Sequence, residues 1–340
     1  IMKRKSYQLK AGSVKNLQLV ESELAAPASG EITIQVRSIG FNFADIFAIW
    51  GLYGATPEGV FIPGLEYSGV VAKIGDGVTN VKVGDKIMGV TRFGAYTTHL
   101  NIDSRYVIPL PAGWNFEEGA AYLVQVLTAY YGLLYLGNLQ KGNTVLVHSA
   151  AGGVGIWANR IAKKYDAFTI GSIGNESKID FCKKEGYDQV IVRSDRFAKN
   201  LKTNLEGKEL NIIMECIGGK IFKEGFKILA PQGRVIVYGA ARYASVGNRP
   251  NYFKLFYQFL TRPKIDPQKL PELNKSLMGF NLIWLYERAE LMHELLGDLK
   301  KLDLGKPHVG HTFPLEKIKD AIHLFQSGNT IGKVVLTIQD

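Results

Sequence analysis

The stretch VLVHSAAGGVGIW, residues 145–157, sets Ser149, Ala150, Ala151 and three glycines between a β-branched run and a helical one. Gly152, Gly153, Val154 and Gly155 fall where a strand turns directly into a helix. Small residues there let a pyrophosphate approach the backbone, and the helix N-terminus offers N–H donors and positive potential. A tight turn without ligand would need the same glycines. The strand before the loop, the helix after it and the strand-helix units that follow favour a dinucleotide.

A cofactor with a free ribose 2′-hydroxyl ordinarily meets an Asp or Glu about 20 residues further on. Here the second strand ends TIGSIGNESK, with Ser172 and Gly174 where the acid would stand. Two bases lie near in sequence, Lys178 opening the next helix and Arg193 ending the third strand. A missing carboxylate with two cations suits a 2′-phosphate, so the expected cofactor is NADPH. Gly218, Gly239 and Lys333 complete the set expected to line it.

A chain of 340 residues exceeds one core and predicts two domains. Two cysteines, Cys182 and Cys216, cannot make a disulfide framework, so reduced thiols and a cytoplasmic location are expected. No apolar run is expected to serve as a membrane span. The formal charge of +10 favours anionic partners, but its bases are spread thinly and no nucleic-acid motif accompanies them.

The elements that must position these groups divide in two. Residues up to about 110 read as short strands with frequent Gly and Pro turns, EITIQVRSIG (31–40) alternating as a half-buried strand. From 116 a long helical stretch (116–137) opens a strand-helix alternation. Strands are expected at 143–148, 167–173, 188–193, 210–217 and 234–239, with helices at 154–165, 176–185, 195–205 and 220–229. That predicts an α/β fold with a doubly wound parallel sheet. Residues 242–275 read as an insertion, and 305–338 as loop, amphipathic helix and last strand, with His308 and His311 in the loop.

The front segment PGLEYSGVVAKIGDGV (63–78) resembles the zinc-alcohol-dehydrogenase signature G-H-E-x-x-G-x5-G-x-x-V, with Leu65 in place of the zinc-binding His. SIGFNFAD (38–45) resembles the block of the first zinc-binding Cys, with Asn42 in that place. No catalytic zinc is expected. With FNFADIFAIWGLY (41–53), LTAYYGL (127–133) and GKVVL (332–336), the chain resembles the quinone oxidoreductase branch of the medium-chain dehydrogenase/reductases, and within it the VAT-1 group.

That resemblance implies a GroES-like β-rich catalytic domain (1–118), a Rossmann cofactor domain (119–275) and a return to the catalytic domain (276–340). It implies zinc-independent hydride transfer from NADPH to a quinone or α,β-unsaturated carbonyl, and a homodimer. Tyr53 is the expected donor to the substrate oxygen. Asn42 is expected to donate an amide proton, Asp45 to fix local structure or relay a proton, and Thr128 to pack beside the nicotinamide. Gln125 stands where many quinone reductases carry Lys. The alternative function is an NADPH-binding peripheral membrane protein with little turnover.

The insertion supplies the motive for that alternative. Tyr252, Leu255, Phe256 and Phe259 fall on one helical face of NYFKLFYQFL (251–260). Arg249, Lys254, Arg262 and Lys264 surround it, which suits acidic lipid. The same stripe could instead cover the cleft or a partner subunit. The homodimer is expected to pair through GRVIVYG (233–239) as an apolar sheet edge.

Overall fold

Strand Glu31–Gly40 holds the front half together. It pairs antiparallel with Glu66–Ile74, with His99–Asp103 and, at its C-terminal end, with Lys333–Thr337. The computed structural model describes residues 2–339. Its seven-stranded front sheet runs Val309–Pro314, Lys333–Thr337, Glu31–Gly40, Glu66–Ile74, Lys86–Val90 and Val107–Pro109, with His99–Asp103 beside Glu31–Gly40. Neighbours on both sides leave no residue of Glu31–Gly40 exposed, so the half-buried expectation is corrected. Ile32, Ile34, Val36 and Ile39 join the core beneath the Phe43–Trp50 helix.

The second sheet has six parallel strands in the order Gln189–Val192, Phe168–Ile173, Thr144–His148, Ile212–Glu215, Arg234–Val237 and Ser276–Gly279. The first five match the sequence expectation within two residues at each end. Strand order reverses between Thr144–His148 and Ile212–Glu215, which opens a crevice at their C-terminal ends.

The sixth strand changes two expectations. Ser276–Gly279 lies against Arg234–Val237, so the latter is interior and not the sheet edge. The cofactor sheet therefore continues past residue 275. Helix Ala289–Lys300 follows and buries Leu295 and Leu299 in the core around Leu123–Tyr130. The chain rejoins the front sheet only at Val309–Pro314, which places His311 in a strand and not in a loop. A four-residue strand, SLMG, carries too little β-branched pattern to be read locally; its partner makes it a strand.

The expected single helix over 116–137 is three pieces: Phe116–Gly119, Leu123–Tyr130 and a π-helical turn over Tyr131–Leu136. Residues 116–136 have the length and hydropathy of a membrane span, contrary to the expectation of none, but 67% of that segment is buried inside the protein. Its middle piece, Leu123–Tyr130, packs against Gly153–Lys164.

Candidate functional site

A cleft of about 970 Å³ runs between the two sheets. At one end it meets the start of helix Gly153–Lys164, capped by Gly152 in extended conformation. The Gly152 carbonyl accepts from Ile156, so the N–H groups of Gly153, Val154 and Gly155 have no acceptor within the helix. All four loop residues line the cleft. A Cβ on Gly155 would stand 2.4 Å from the Ser149 carbonyl oxygen, so close packing of strand on helix demands glycine there. Ser149 turns the chain with φ of 52°. The loop is also tied to the front sheet, since Gly332 donates to the Ala151 carbonyl at 2.8 Å.

Gly174, Lys178 and Arg193 line the same end, as does Gly239. Arg193 Nη1 donates to the Ser172 carbonyl and to Ser172 Oγ, each at 3.1 Å. Lys178 Nζ donates to the Gly328 carbonyl at 2.6 Å. Burial and the neighbouring guanidinium push the Lys178 pKa down. Burial lowers that of Arg193 as well. An anion arriving between them would relieve both. Ser172 and Gly218, both expected to line the cofactor, do not line the cleft. Ser172 lies under Arg193, and Gly218 points its N–H at Glu215.

Where the two sheets meet, a buried polar cluster forms the floor. Lys333 Nζ donates to Glu66 Oε1 at 2.5 Å and to Asn42 Oδ1 at 3.0 Å. Gln125 Nε2 donates to Asn42 Oδ1 at 2.6 Å and to Glu66 Oε1 at 2.7 Å. Asn42 Nδ2 donates to Glu66 Oε1 at 3.1 Å, and the Val124 N–H to Glu66 Oε2 at 3.1 Å. Burial lowers the Lys333 pKa while Glu66 opposes the shift. Lys333 lines the cleft, but its ammonium is committed to this cluster. Asn42 lines the cleft, and its amide, expected to donate to a carbonyl or the cofactor, donates here to Glu66 and, at 3.4 Å, to the Gly40 carbonyl. Gln125 Oε1 is a buried acceptor without a partner among the described residues, beside Gly153.

The far end is apolar, walled by Phe43, Phe47, Leu127, Leu282, Ile283 and Met292. Tyr53 stands there and donates to Asn281 Oδ1 at 2.7 Å. Burial pushes the Tyr53 phenol up to about 12. Thr128 lines the cleft too, its hydroxyl donating to the Val124 carbonyl at 2.7 Å. Asp45 does not line the cleft. It is fully buried in the Phe43–Trp50 helix, accepts from the Asn42 N–H at 2.8 Å and faces Tyr96, so it holds the helix start and touches no substrate space.

Residues 28–112 match the alcohol dehydrogenase GroES-like domain, and residues 153–267 the zinc-binding dehydrogenase domain. The human synaptic vesicle membrane protein VAT-1 homolog is 34% identical over 315 residues, covering 92% of this chain and 80% of that protein. The zebrafish homolog is also 34% identical, but the chain spans only 65% of its length. The crystal structure of the human VAT-1 homolog-like protein superposes with a TM-score of 0.85 at 26% identity, covering 100% of this chain and 99% of that one. Escherichia coli quinone oxidoreductase complexed with NADPH superposes at 0.84 with 27% identity, covering 99% and 100%. The chain belongs to the medium-chain dehydrogenase/reductases, in the quinone oxidoreductase branch beside the VAT-1 homologues.

Within that branch the fold is the expected pair of a GroES-like β domain and a parallel-sheet Rossmann domain. Among the described residues no three His, Cys, Asp or Glu side chains converge as metal ligands. Leu65 lines the cleft where the zinc signature has its His, and the Asn42–Glu66–Lys333–Gln125 cluster fills the floor around it. Sequence reasoning missed Glu66, Gln125 and Asn281 as site residues. Glu66 was legible as a buried acid beside Leu65 in the signature. Its pairing with Lys333, 267 positions away, was not.

The insertion forms helix Tyr252–Leu260. Leu255 and Phe259 line the cleft, but of the expected stripe only Leu255 is half-buried; Tyr252, Phe256 and Phe259 are exposed, as is Phe253 at 92%. The expected stripe is thus split between cleft and solvent. Arg242 anchors the helix through Gln258 and Thr261, and Lys254 Nζ turns inward to the Ala244 carbonyl at 2.7 Å.

Proposed function

We propose that the chain reduces a quinone or an α,β-unsaturated carbonyl compound with NADPH. One observation carries this reading: a single cleft joins a helix N-terminus and two cations to an apolar compartment holding Tyr53. The N–H groups of Val154 and Gly155, which have no acceptor within the helix, would hold a pyrophosphate, and Arg193 with Lys178 a 2′-phosphate. The lone acceptor Gln125 Oε1 would take an N–H from the ligand. NADPH supplies a hydride when bound.

A carbon conjugated to a carbonyl accepts that charge and passes it to the carbonyl oxygen. Stabilising the oxygen is then the protein's task. Tyr53 keeps its proton at neutral pH, as any phenol does, and burial raises its pKa further, to about 12. Asn281 holds that proton until a stronger acceptor enters. The apolar walls exclude water, which strengthens any hydrogen bond formed inside. Thr128, fixed to the Val124 carbonyl, keeps the wall between the two ends in register.

A second reading has a specific observation behind it. The solvent side of helix Tyr252–Leu260 presents Phe253, Phe256 and Tyr257, which suits a lipid surface. Turnover with a panel of quinones and enones separates the two. NADPH consumption that depends on the acceptor supports the reductase. Tight NADPH binding with no turnover on any acceptor would leave the membrane reading in its place.

A further inference from the structure

Behind the cofactor end lies a buried pair that the reaction above does not use. His148, at the end of strand Thr144–His148, is fully buried. Its Nδ1 is 2.6 Å from Ser172 Oγ, and its Nε2 is 3.3 Å from Glu215 Oε2. Glu215 Oε1 accepts from the Ile217 N–H at 2.5 Å and the Gly218 N–H at 2.7 Å. The His148 ring and the amides at Ile217 and Gly218 hold the Glu215 carboxyl below the usual range, against its burial.

The polarity of this chain follows from its ends. An ionised Glu215 only accepts, so His148 Nε2 must carry a hydrogen. In neutral imidazole that leaves Nδ1 bare, and Ser172 must donate to it. The Ser172 oxygen then keeps its lone pairs for Arg193, whose Nη1 lies 3.1 Å away. The hydrogen bonds run from Arg193 to Ser172 to His148, whose Nε2 faces the Glu215 carboxylate at 3.3 Å without hydrogen-bond alignment. Ile217 and Arg193 line the cleft, whereas Ser172 does not, and His148 is inside the sheet. The ring therefore lies between the two cleft walls, hydrogen-bonded to Ser172 on one side and facing the Glu215 carboxylate on the other.

We infer that His148 is a positioning residue for cofactor selection: it orients Ser172 so that Arg193 is pinned toward a 2′-phosphate. The inference rests on the NADPH reading above. A side chain as long as Arg loses rotamer freedom when pinned, and one fixed before the ligand arrives binds phosphate at lower entropic cost. Gly174 leaves the space that this guanidinium needs, because a Cβ there would meet Nη2 at 3.0 Å. Without the Ser172 acceptor, Arg193 keeps only the backbone carbonyl contact and samples other rotamers.

The test is a pair of equilibrium titrations, NADPH and NADH, on the full chain and its variants, with melting temperature read alongside. Ser172→Ala should weaken NADPH about tenfold and NADH less than twofold. His148→Leu should reproduce that selective loss, and His148→Asn, whose amide oxygen can still accept from Ser172, should recover most of it. In an Arg193→Ala background, Ser172→Ala should add nothing. Equal weakening of both cofactors would reduce the relay to a packing feature, and undiminished NADPH affinity in Ser172→Ala would overturn it. Should His148→Leu fail to fold, Ser172→Ala alone decides. A wild-type chain that binds both cofactors equally would sink the NADPH reading and this relay together. One that prefers NADPH while Ser172→Ala changes nothing would sink only the relay.

Discussion

Asp45 has the costliest surroundings of any carboxyl near the site. Burial raises its pKa from 3.8 to about 7, although the Asn42 N–H, Lys333 and Tyr96 pull the other way. Below about pH 4 both folded and unfolded chains hold the proton, and the residue adds no pH dependence to stability. Between there and pH 7 the unfolded chain releases it first, so stability falls as pH rises. Asp45→Asn should remove that slope and stabilise the protein above pH 7 by up to ~4 kcal/mol. Chemical denaturation at pH 5 and pH 8 checks this, and a variant less stable at both would show that the charge is needed. Lys178→Ala and Arg193→Ala should each lower NADPH affinity roughly ten- to a hundredfold with little change for NADH. Equal losses for both cofactors would misplace the phosphate. Tyr53→Phe should lower turnover while leaving NADPH affinity in place, since it removes one donor at the apolar end; stopped-flow rates and binding titrations read the two separately. These residues differed in how well they could be read. Gly152 to Gly155 declare themselves by spacing. Asn42 looked like a donor because its demand from Glu66 comes from another strand.

The insertion shows the same limit at the scale of an element. Its helical period was plain in NYFKLFYQFL, and the helix is there. Which side meets the cleft goes with Arg242, which holds Gln258 while Leu255 and the rim of Phe259 line the cleft. That leaves Phe253, Phe256 and Tyr257 in solvent. The membrane reading requires co-sedimentation with acidic liposomes at low salt, lost in Phe256→Ser and at high salt, with NADPH binding retained in that variant. Failure to sediment at low salt would assign the helix to covering the cleft alone. The Phe116–Leu136 segment makes the converse point. Its hydropathy matches a membrane span, yet the second sheet and Ala289–Lys300 bury it.

For the whole molecule, the edge that matters is Ser276–Gly279. It pairs on one side with Arg234–Val237 and ends the six-stranded sheet on the other. Leu277 and Met278 are half-buried there. An unpaired edge of this kind invites a second strand. We expect a homodimer by light scattering at micromolar concentration, with Leu277→Pro shifting it to monomer by removing an N–H that points away from Arg234–Val237. A monomer mass for the wild type would refute the pairing. The net charge of +10 opposes loose self-association, so a dimer here would need a specific edge and not general stickiness.

The sequence by itself determined the cofactor half. Strand and helix periods, the glycine spacing and the missing acid at Ser172 are local facts, and five strands stand where they were expected. It also carried the altered zinc signature, because Leu65 and Asn42 can be read one position at a time. Tertiary structure decided everything that joins distant segments. Lys333 meets Glu66 only because the last strand returns beside Glu31–Gly40. Ser276–Gly279 becomes a strand only because Arg234–Val237 offers it a ladder. Asp45 leaves the cleft, and Asn281 enters it, by the way the two sheets close on each other. Hydrogen bonds and burial are properties of neighbours, and neighbours hundreds of residues apart leave no periodic trace in the chain.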